Sequence, residues 1–241
     1  MHRPLTQEQW EQRASQFRSQ ARGRYDNLFT PGWYAQHPNA WRFRHPHADL
    51  WAAALTWPAL ANWLGTTVAY PYDYGTVYGY GGGDTYYIDS ETPSEEQAVE
   101  QQPENEYQDP ADLASTGQGN GMPDQFDVDQ WMPLGVFVIT PSDSQAKPNR
   151  VFQFVISKNG QLAGTYFDTF SRQSIPIQGA VNKSTQQAAW TVGSNQEVVM
   201  ETNLGSFVQN QGNVLVHERQ QPSETWTMVR LPEPSNGDAN Q

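Results

Sequence analysis

The chain contains no cysteine. That excludes disulfides, thiolate metal sites and thiol nucleophiles; it suits a protein exported to a harsh compartment, and many cytosolic proteins also lack cysteine. No apolar run is long enough to cross a bilayer as a helix; the richest, Leu50 to Leu64, is short and is interrupted by Pro58. No basic, apolar and small-residue signal segment opens the chain, and Met1-His2-Arg3-Pro4 reads either as a start placed before a mature sequence or as a cytosolic start. Charged residues are sparse at 17%, hydrophobic residues make up 37%, and mean hydropathy is −0.75, so part of the chain is expected not to pack.

What is present is unevenly placed. The 241 residues, enough for one or two domains, carry a formal charge of −12. Residues 84 to 130 hold 13 of the 26 acidic residues and no Lys or Arg, whereas residues 1 to 50 carry seven Arg against four acids. Six of the nine Trp lie in the first 63 residues. The pattern divides the chain into a basic, Trp-rich head with a Tyr-rich hairpin (1–90), an acidic, largely disordered linker (91–130), a near-neutral β-domain (131–232) and a disordered tail (233–241).

The head reads as helical. A helix is expected over 5–24, with Thr6 and Gln9 as a capping box and Trp10, Ala14, Phe17 and Ala21 as one apolar stripe. After a turn-rich connector, a second helix is expected from about His47 to Trp57, restarting at Pro58 and ending at Gly65, with Trp51, Leu55, Ala59 and Trp63 four apart. Two Tyr-rich strands around Gly81-Gly82-Gly83 read as a hairpin over 66–90. A short helix can start at Thr92-Pro93, and about 25 residues after Pro103 read as disordered.

Eight short strands follow: Val136 to Thr140, Val151 to Ser157, Leu162 to Asp168, Ile175 to Val181, Ala188 to Val192, Val198 to Thr202, Val214 to Glu218 and Thr225 to Leu231. Phe152, Phe154 and Ile156 alternate onto one face, as do Ile175, Ile177, Gly179 and Val181. Asn159-Gly160 marks a two-residue hairpin turn. Short links pair each strand with its sequence neighbour, and the need to protect sheet edges favours a closed antiparallel eight-stranded meander barrel, with an open sandwich as the alternative. The fold class is therefore α+β: helical head, acidic linker, barrel.

Candidate chemistry is thin. His45-Pro46-His47-Ala48-Asp49, with His37 nearby, is the best metal candidate by residue type, but Pro46 prevents a helical pairing of the two imidazoles, and histidines beside Trp and Arg more often stack or hydrogen-bond; no metal or other cofactor is expected. There is no Gly-x-Ser-x-Gly elbow, no phosphate-binding glycine loop, and no carboxylate pair with assignable acid and base roles, so no catalytic residue is assigned and a non-enzymatic protein is expected. His217 stands alone in a strand and reads as structural. The acidic segment opposes nucleic-acid binding by the Arg-rich head. Trp10, Phe17, Trp33, Trp41, Trp51, Leu55, Trp57 and Trp63 exceed what a small head readily buries, and they are expected to form an interface with a protein partner or a second copy.

The runs Trp131-Met132-Pro133-Leu134-Gly135-Val136-Phe137, Leu162-Ala163-Gly164-Thr165-Tyr166, Ile177 to Gln186, Ala188 to Gly193 and Trp226-Thr227-Met228-Val229-Arg230-Leu231 carry a resemblance. They resemble the C-terminal region of planctomycete-type bacterial proteins labelled as cell-surface or "mu-protocadherin" proteins, and the likeness extends through Tyr72-Asp73-Tyr74-Gly75 to the Trp-rich head. It implies export to the periplasm or cell surface and no particular activity. Gly164-Thr165-Tyr166 and the stretch from Pro176 to Val192 are similar, more distantly, to avidin-type barrels. That likeness implies a ligand-contacting Tyr166, with Trp190 and Trp226 as further candidates. With Arg230 placed on that family's Arg, Thr227 takes the position of its pocket Trp and Trp226 faces the other way, so biotin is not expected. Two readings follow: a structural or assembly subunit that docks through its head and displays the β-domain, and a small-molecule-binding barrel.

Overall fold

The structure, a computed structural model, describes residues 12, 15–16, 19, 25, 27–38, 40, 55–66, 108–117, 130–142 and 148–231. Eight strands close into one antiparallel barrel in sequence order: β1 Trp131–Pro141, β2 Arg150–Ser157, β3 Gln161–Asp168, β4 Gln173–Val181, β5 Gln187–Val192, β6 Val198–Asn203, β7 Gln211–Glu218 and β8 Glu224–Arg230. Every expected strand is present, and β1 pairing with β8 removes both edges, so the sandwich is ruled out. Strand β1 starts five residues before the expected Val136 because a bulge between Pro133 and Gly135 absorbs the proline without ending the pairing with β2. The Asn159-Gly160 hairpin forms with Gly160 at φ 85° after a turn closed by Gly160 N–H to Ser157 O (3.0 Å). The loop is three residues long, not the two expected, because Lys158 joins the turn and the glycine takes the left-handed position that closes it.

Alternation decides the interior. Phe137 and Ile139 of β1, Phe152, Phe154 and Ile156 of β2, Ile177 of β4 and Trp190 of β5 are fully buried in one cluster. Rings pack in the middle: Phe154 lies 5.0 Å from Trp190 and 5.2 Å from Phe207, edge to face. Side chains therefore fill the middle of the barrel, one of the two states that eight strands allow.

In a meander the loops alternate between two ends, and the two ends here differ. At one end a 3-10 turn, Leu204–Phe207, folds inward and buries Leu204 and Phe207. Arg230 also points in there and donates to the carbonyls of Leu134 (3.0 Å), Gln209 (3.3 Å) and Phe207, with its guanidinium 4.6 Å over the Phe137 ring. Gly135 (φ 117°) makes room for it: a Cβ there would fall 2.2 Å from Arg230 Nη1. Burial pushes the Arg230 pKa down to about 10, which leaves it charged at neutral pH.

Two helices from the head pack on this barrel. Helix α1, Pro31–Gln36, is capped by Thr30 and lies on the outer wall: Trp33 meets Phe167 edge to face at 5.1 Å, and the Tyr34 hydroxyl donates to the buried Gln153 side chain. Helix α2, Trp57–Leu64, starts with Pro58 in its first turn and ends on Gly65 in the left-handed region (φ 65°), as expected, but Leu55 and Thr56, expected to be helical, precede it as non-helical chain with Thr56 extended as the N-cap, and residues 47–54 lie outside the described residues. Its Leu60 and Leu64, with Leu55 and Trp57, join the interior cluster, so α2 stoppers the end that holds the 3-10 turn. Trp63 Nε1 donates to Ile156 O (3.2 Å), and Lys183 Nζ donates to Leu64 O (2.8 Å) and Lys158 O (2.6 Å). Gln12, Ser15, Gln16 and Ser19 are helical and exposed, in keeping with the polar face of the expected first helix. The hairpin expected over 66–90, the short helix at Thr92-Pro93 and the tail 233–241 lie outside the described residues.

The acidic segment holds a departure from expectation. Helix α3, Pro110–Thr116, lies within the stretch expected to be disordered, and it packs Leu113 and Ala114 on Ala180, Ala189 and Val199 of the outer wall. Asp109 caps it by accepting from Ala111 N–H (2.8 Å). Gln187 clamps its entry by donating to Gln108 O (2.7 Å) and accepting from Gln108 N–H (3.3 Å); Gln161 holds its exit through Gly117 O (3.1 Å). A Cβ on Gly117 would sit 1.8 Å from Gly179 O, so the strap approaches β4 backbone to backbone.

Candidate functional site

The end opposite the stopper is formed by the loops after β1, β3, β5 and β7 and carries no covering helix among the described residues. Inward-pointing positions at this mouth descend in layers. Phe152, fully buried, forms the floor; Tyr166, Val192, Val198 and Trp226 are half-buried above it; Arg150, Asp168 and Glu224 stand at the lip. Arg150, with only β1 between its strand and β8, places its guanidinium 4.7 Å over the Trp226 ring. The Trp226 indole N–H donates to Glu224 Oε2 (3.0 Å), and the Tyr166 hydroxyl donates to Asp168 Oδ2 (3.2 Å). Asp168 also accepts from Asn149 Nδ2 (3.0 Å) and from the amides of Phe170 (2.7 Å) and Ser171 (3.0 Å), which turns the β3–β4 loop outward. Beyond it Phe170 is 90% exposed.

Two titrations follow from this packing. Burial raises the Tyr166 phenol above its ordinary value, and the Asp168 charge beside it raises it further. Partial burial works against the Asp168 carboxylate, but the amides of Ser171 and Phe170, with Asn149 and Tyr166, outweigh it and hold its pKa below the usual carboxylate value.

The ligand candidates thus separate. Tyr166 and Trp226 both stand half-buried at the mouth. Trp190 does not: it is fully buried between Phe154 and Phe207, with its indole N–H unpartnered. Trp226 also corrects the reading taken from the avidin-type likeness, since it faces inward with Met228 and Arg230, while Thr227 lies on the outer face near Ser142. Alternation along β8 alone sets this parity: Trp226, Met228 and Arg230 stand two residues apart and share a face.

The interface candidates separate as well. Trp33, Leu55, Trp57 and Trp63 pack on the barrel of their own chain. They are a correction to the expectation that the head turns its aromatics toward a partner: an apolar stripe does not reveal whether its partner lies in the same chain, and a barrel end is an apolar surface that needs covering. Trp10, Phe17, Trp41 and Trp51, and the His45-Pro46-His47 cluster, lie outside the described residues. His37 stacks on Trp33 at 4.0 Å and bonds its carbonyl (2.8 Å). Among the described residues no group of three His, Cys, Asp or Glu is placed to hold a metal ion, and no helix is long and apolar enough to cross a membrane.

One cluster was not foreseen. On the outer wall, near the mouth, His217 Nδ1 lies 2.8 Å from Ser223 Oγ and Nε2 lies 2.7 Å from Glu201 Oε2; Glu201 Oε1 accepts from Gln187 Nε2 (3.0 Å). The pairing of Val199 with His217 creates this chain by setting Glu201 two residues along the neighbouring strand. No short sequence motif spans these residues, and only a correct strand register could have revealed them.

No family model, no curated protein and no solved structure matches this chain.

Proposed function

We propose that the protein is a recognition and assembly subunit that contacts its partner through the barrel end that no described helix covers, not through the Trp-rich head. The observation that carries this reading is the contrast between the two ends. One end is stoppered by α2 and the 3-10 turn, whereas the other has Trp226, Tyr166 and Arg150 at its mouth and Phe170, 90% exposed, on its β3–β4 loop. Trp, Tyr and Arg are the side chains that anchor interfaces, because they bring large contact area at small conformational cost. The ring-filled interior supports a surface reading over a lipocalin-like one, since a buried small ligand would have to displace Phe152 or Trp190. An exported or cell-surface location is part of the proposal; the cysteine-free sequence and the surface-protein resemblance support it.

Site-specific photo-crosslinking in native cells tests this. A benzophenone side chain at position 170 should give a discrete adduct of defined mass, and the same group at Asn159, in the hairpin at the stoppered end, should not. Equal labelling from both positions, or none from 170, would overturn the reading.

A further inference from the structure

The cluster on the outer wall has an organisation that recognition at the mouth does not use. Three types of side chain stand in series: a hydroxyl, an imidazole and a carboxylate. His217 is held on both ring nitrogens, at 2.8 Å by Ser223 and at 2.7 Å by Glu201. Glu201 is 7% exposed, and its second oxygen is fixed by Gln187, which α3 in turn fixes through Gln108. Ser223 is only half-buried, in the β7–β8 loop, so the chain runs from a buried acid to a hydroxyl that solvent reaches.

We propose that Ser223, His217 and Glu201 form a nucleophile, base and orienting acid that accept an acyl group from small, activated esters. The chemistry requires one ring nitrogen facing the carboxylate and the other facing the hydroxyl. With Nε2–H donating to Glu201, the Nδ1 lone pair is free to take the Ser223 proton. Ser223 Oγ then attacks the ester carbonyl: a bond forms between Oγ and the acyl carbon, the ester C–O bond breaks, and the proton on Nδ1 passes to the departing alkoxide. Water, deprotonated by the same nitrogen, releases the acid and restores the hydroxyl. No oxidant, reductant or metal enters the balance. The half-exposed hydroxyl favours compact substrates, for which acetyl and aryl esters are the probes. Glu201 acts through His217 and is a positioning residue.

The alternative role for the same bonds is to tie β6, β7 and the β7–β8 loop together, and the experiment must distinguish the two. The full chain is incubated with a fluorophosphonate, and the adduct is located by peptide mass spectrometry; hydrolysis of p-nitrophenyl acetate is followed in parallel. The expected result is one adduct, on Ser223, absent in Ser223→Ala and slowed about 100-fold or more in His217→Gln, with circular dichroism unchanged in both. Ester hydrolysis should fall with labelling and should lose its pH dependence in His217→Gln. No adduct on Ser223 in the wild-type chain, or hydrolysis unchanged by Ser223→Ala, overturns the proposal and leaves the tie as the role of the cluster. Neither outcome depends on whether the mouth binds a partner.

Discussion

Leu60 is the side chain that best tests whether the head belongs to the barrel. It sits on α2, is 0% exposed, and shares its cluster with Leu134, Ile156 and Phe207 of the barrel. Replacing it with alanine removes three buried carbons and leaves a space that neighbouring rings and strands cannot easily collapse into. Leucine-to-alanine changes at such sites cost about 2–5 kcal/mol. With about 3 kcal/mol and a urea slope of about 2 kcal/mol/M, the unfolding midpoint should fall by about 1.5 M. The readout is urea unfolding followed by the fluorescence of the buried tryptophans and, separately, by far-ultraviolet circular dichroism of the strands; both should shift together. Asn62→Ala, on the exposed face of the same helix, is the control and should stay within about 0.5 kcal/mol of wild type. If the strand signal does not move in Leu60→Ala, α2 is an appendage and the stopper assignment is wrong.

Two further outcomes follow. Gly117→Ala should release the α3 strap, because its Cβ would collide with Gly179 O; faster proteolysis between residues 103 and 117, with the barrel intact, is expected, and unchanged cleavage would refute the close approach. Burial raises the Tyr34 phenol above its unfolded-state value, so its contribution is fully present below about pH 10 and is lost as pH rises beyond that. Tyr34→Phe should therefore flatten the decline of stability between about pH 9.5 and 11, while costing about 1–2 kcal/mol at neutral pH by leaving the buried Gln153 side chain short of its donor. A parallel decline in both proteins would refute that assignment.

The barrel was legible in the sequence because its information is local. Alternation in Phe152, Phe154 and Ile156 and the glycine at position 160 each mark a strand or its turn within a few residues. What escaped was long-range. Whether Trp57 meets a partner or a barrel end depends on its joining a cluster with residues as distant in sequence as Ile156 and Phe207. The strap α3 is seven residues long and offers only Leu113, Ala114 and Pro110 to the wall, too little for a periodic signal; the glycine groove that admits it is visible only once β4 and β5 are paired. Trp190 and Trp226 each lie two residues from the mouth end of their strands, yet one is sealed against Phe154 and Phe207 and the other is half-buried at the mouth, a difference that only the packing shows. The Ser223–His217–Glu201 chain needed the β6–β7 register.

The most direct test of the account is the unfolding of a chain that begins at Trp131, compared with the full chain under the same conditions. It lacks α1, α2 and α3, and with them Leu55, Trp57, Leu60 and Leu64 at the stoppered end and Leu113 and Ala114 on the wall. The account predicts a marked loss of stability, of more than about 5 kcal/mol at roughly 1.5–3 kcal/mol per fully buried large apolar side chain, together with association through the uncovered end. A truncated chain that is monomeric and unfolds at the same urea concentration as the full chain would contradict it.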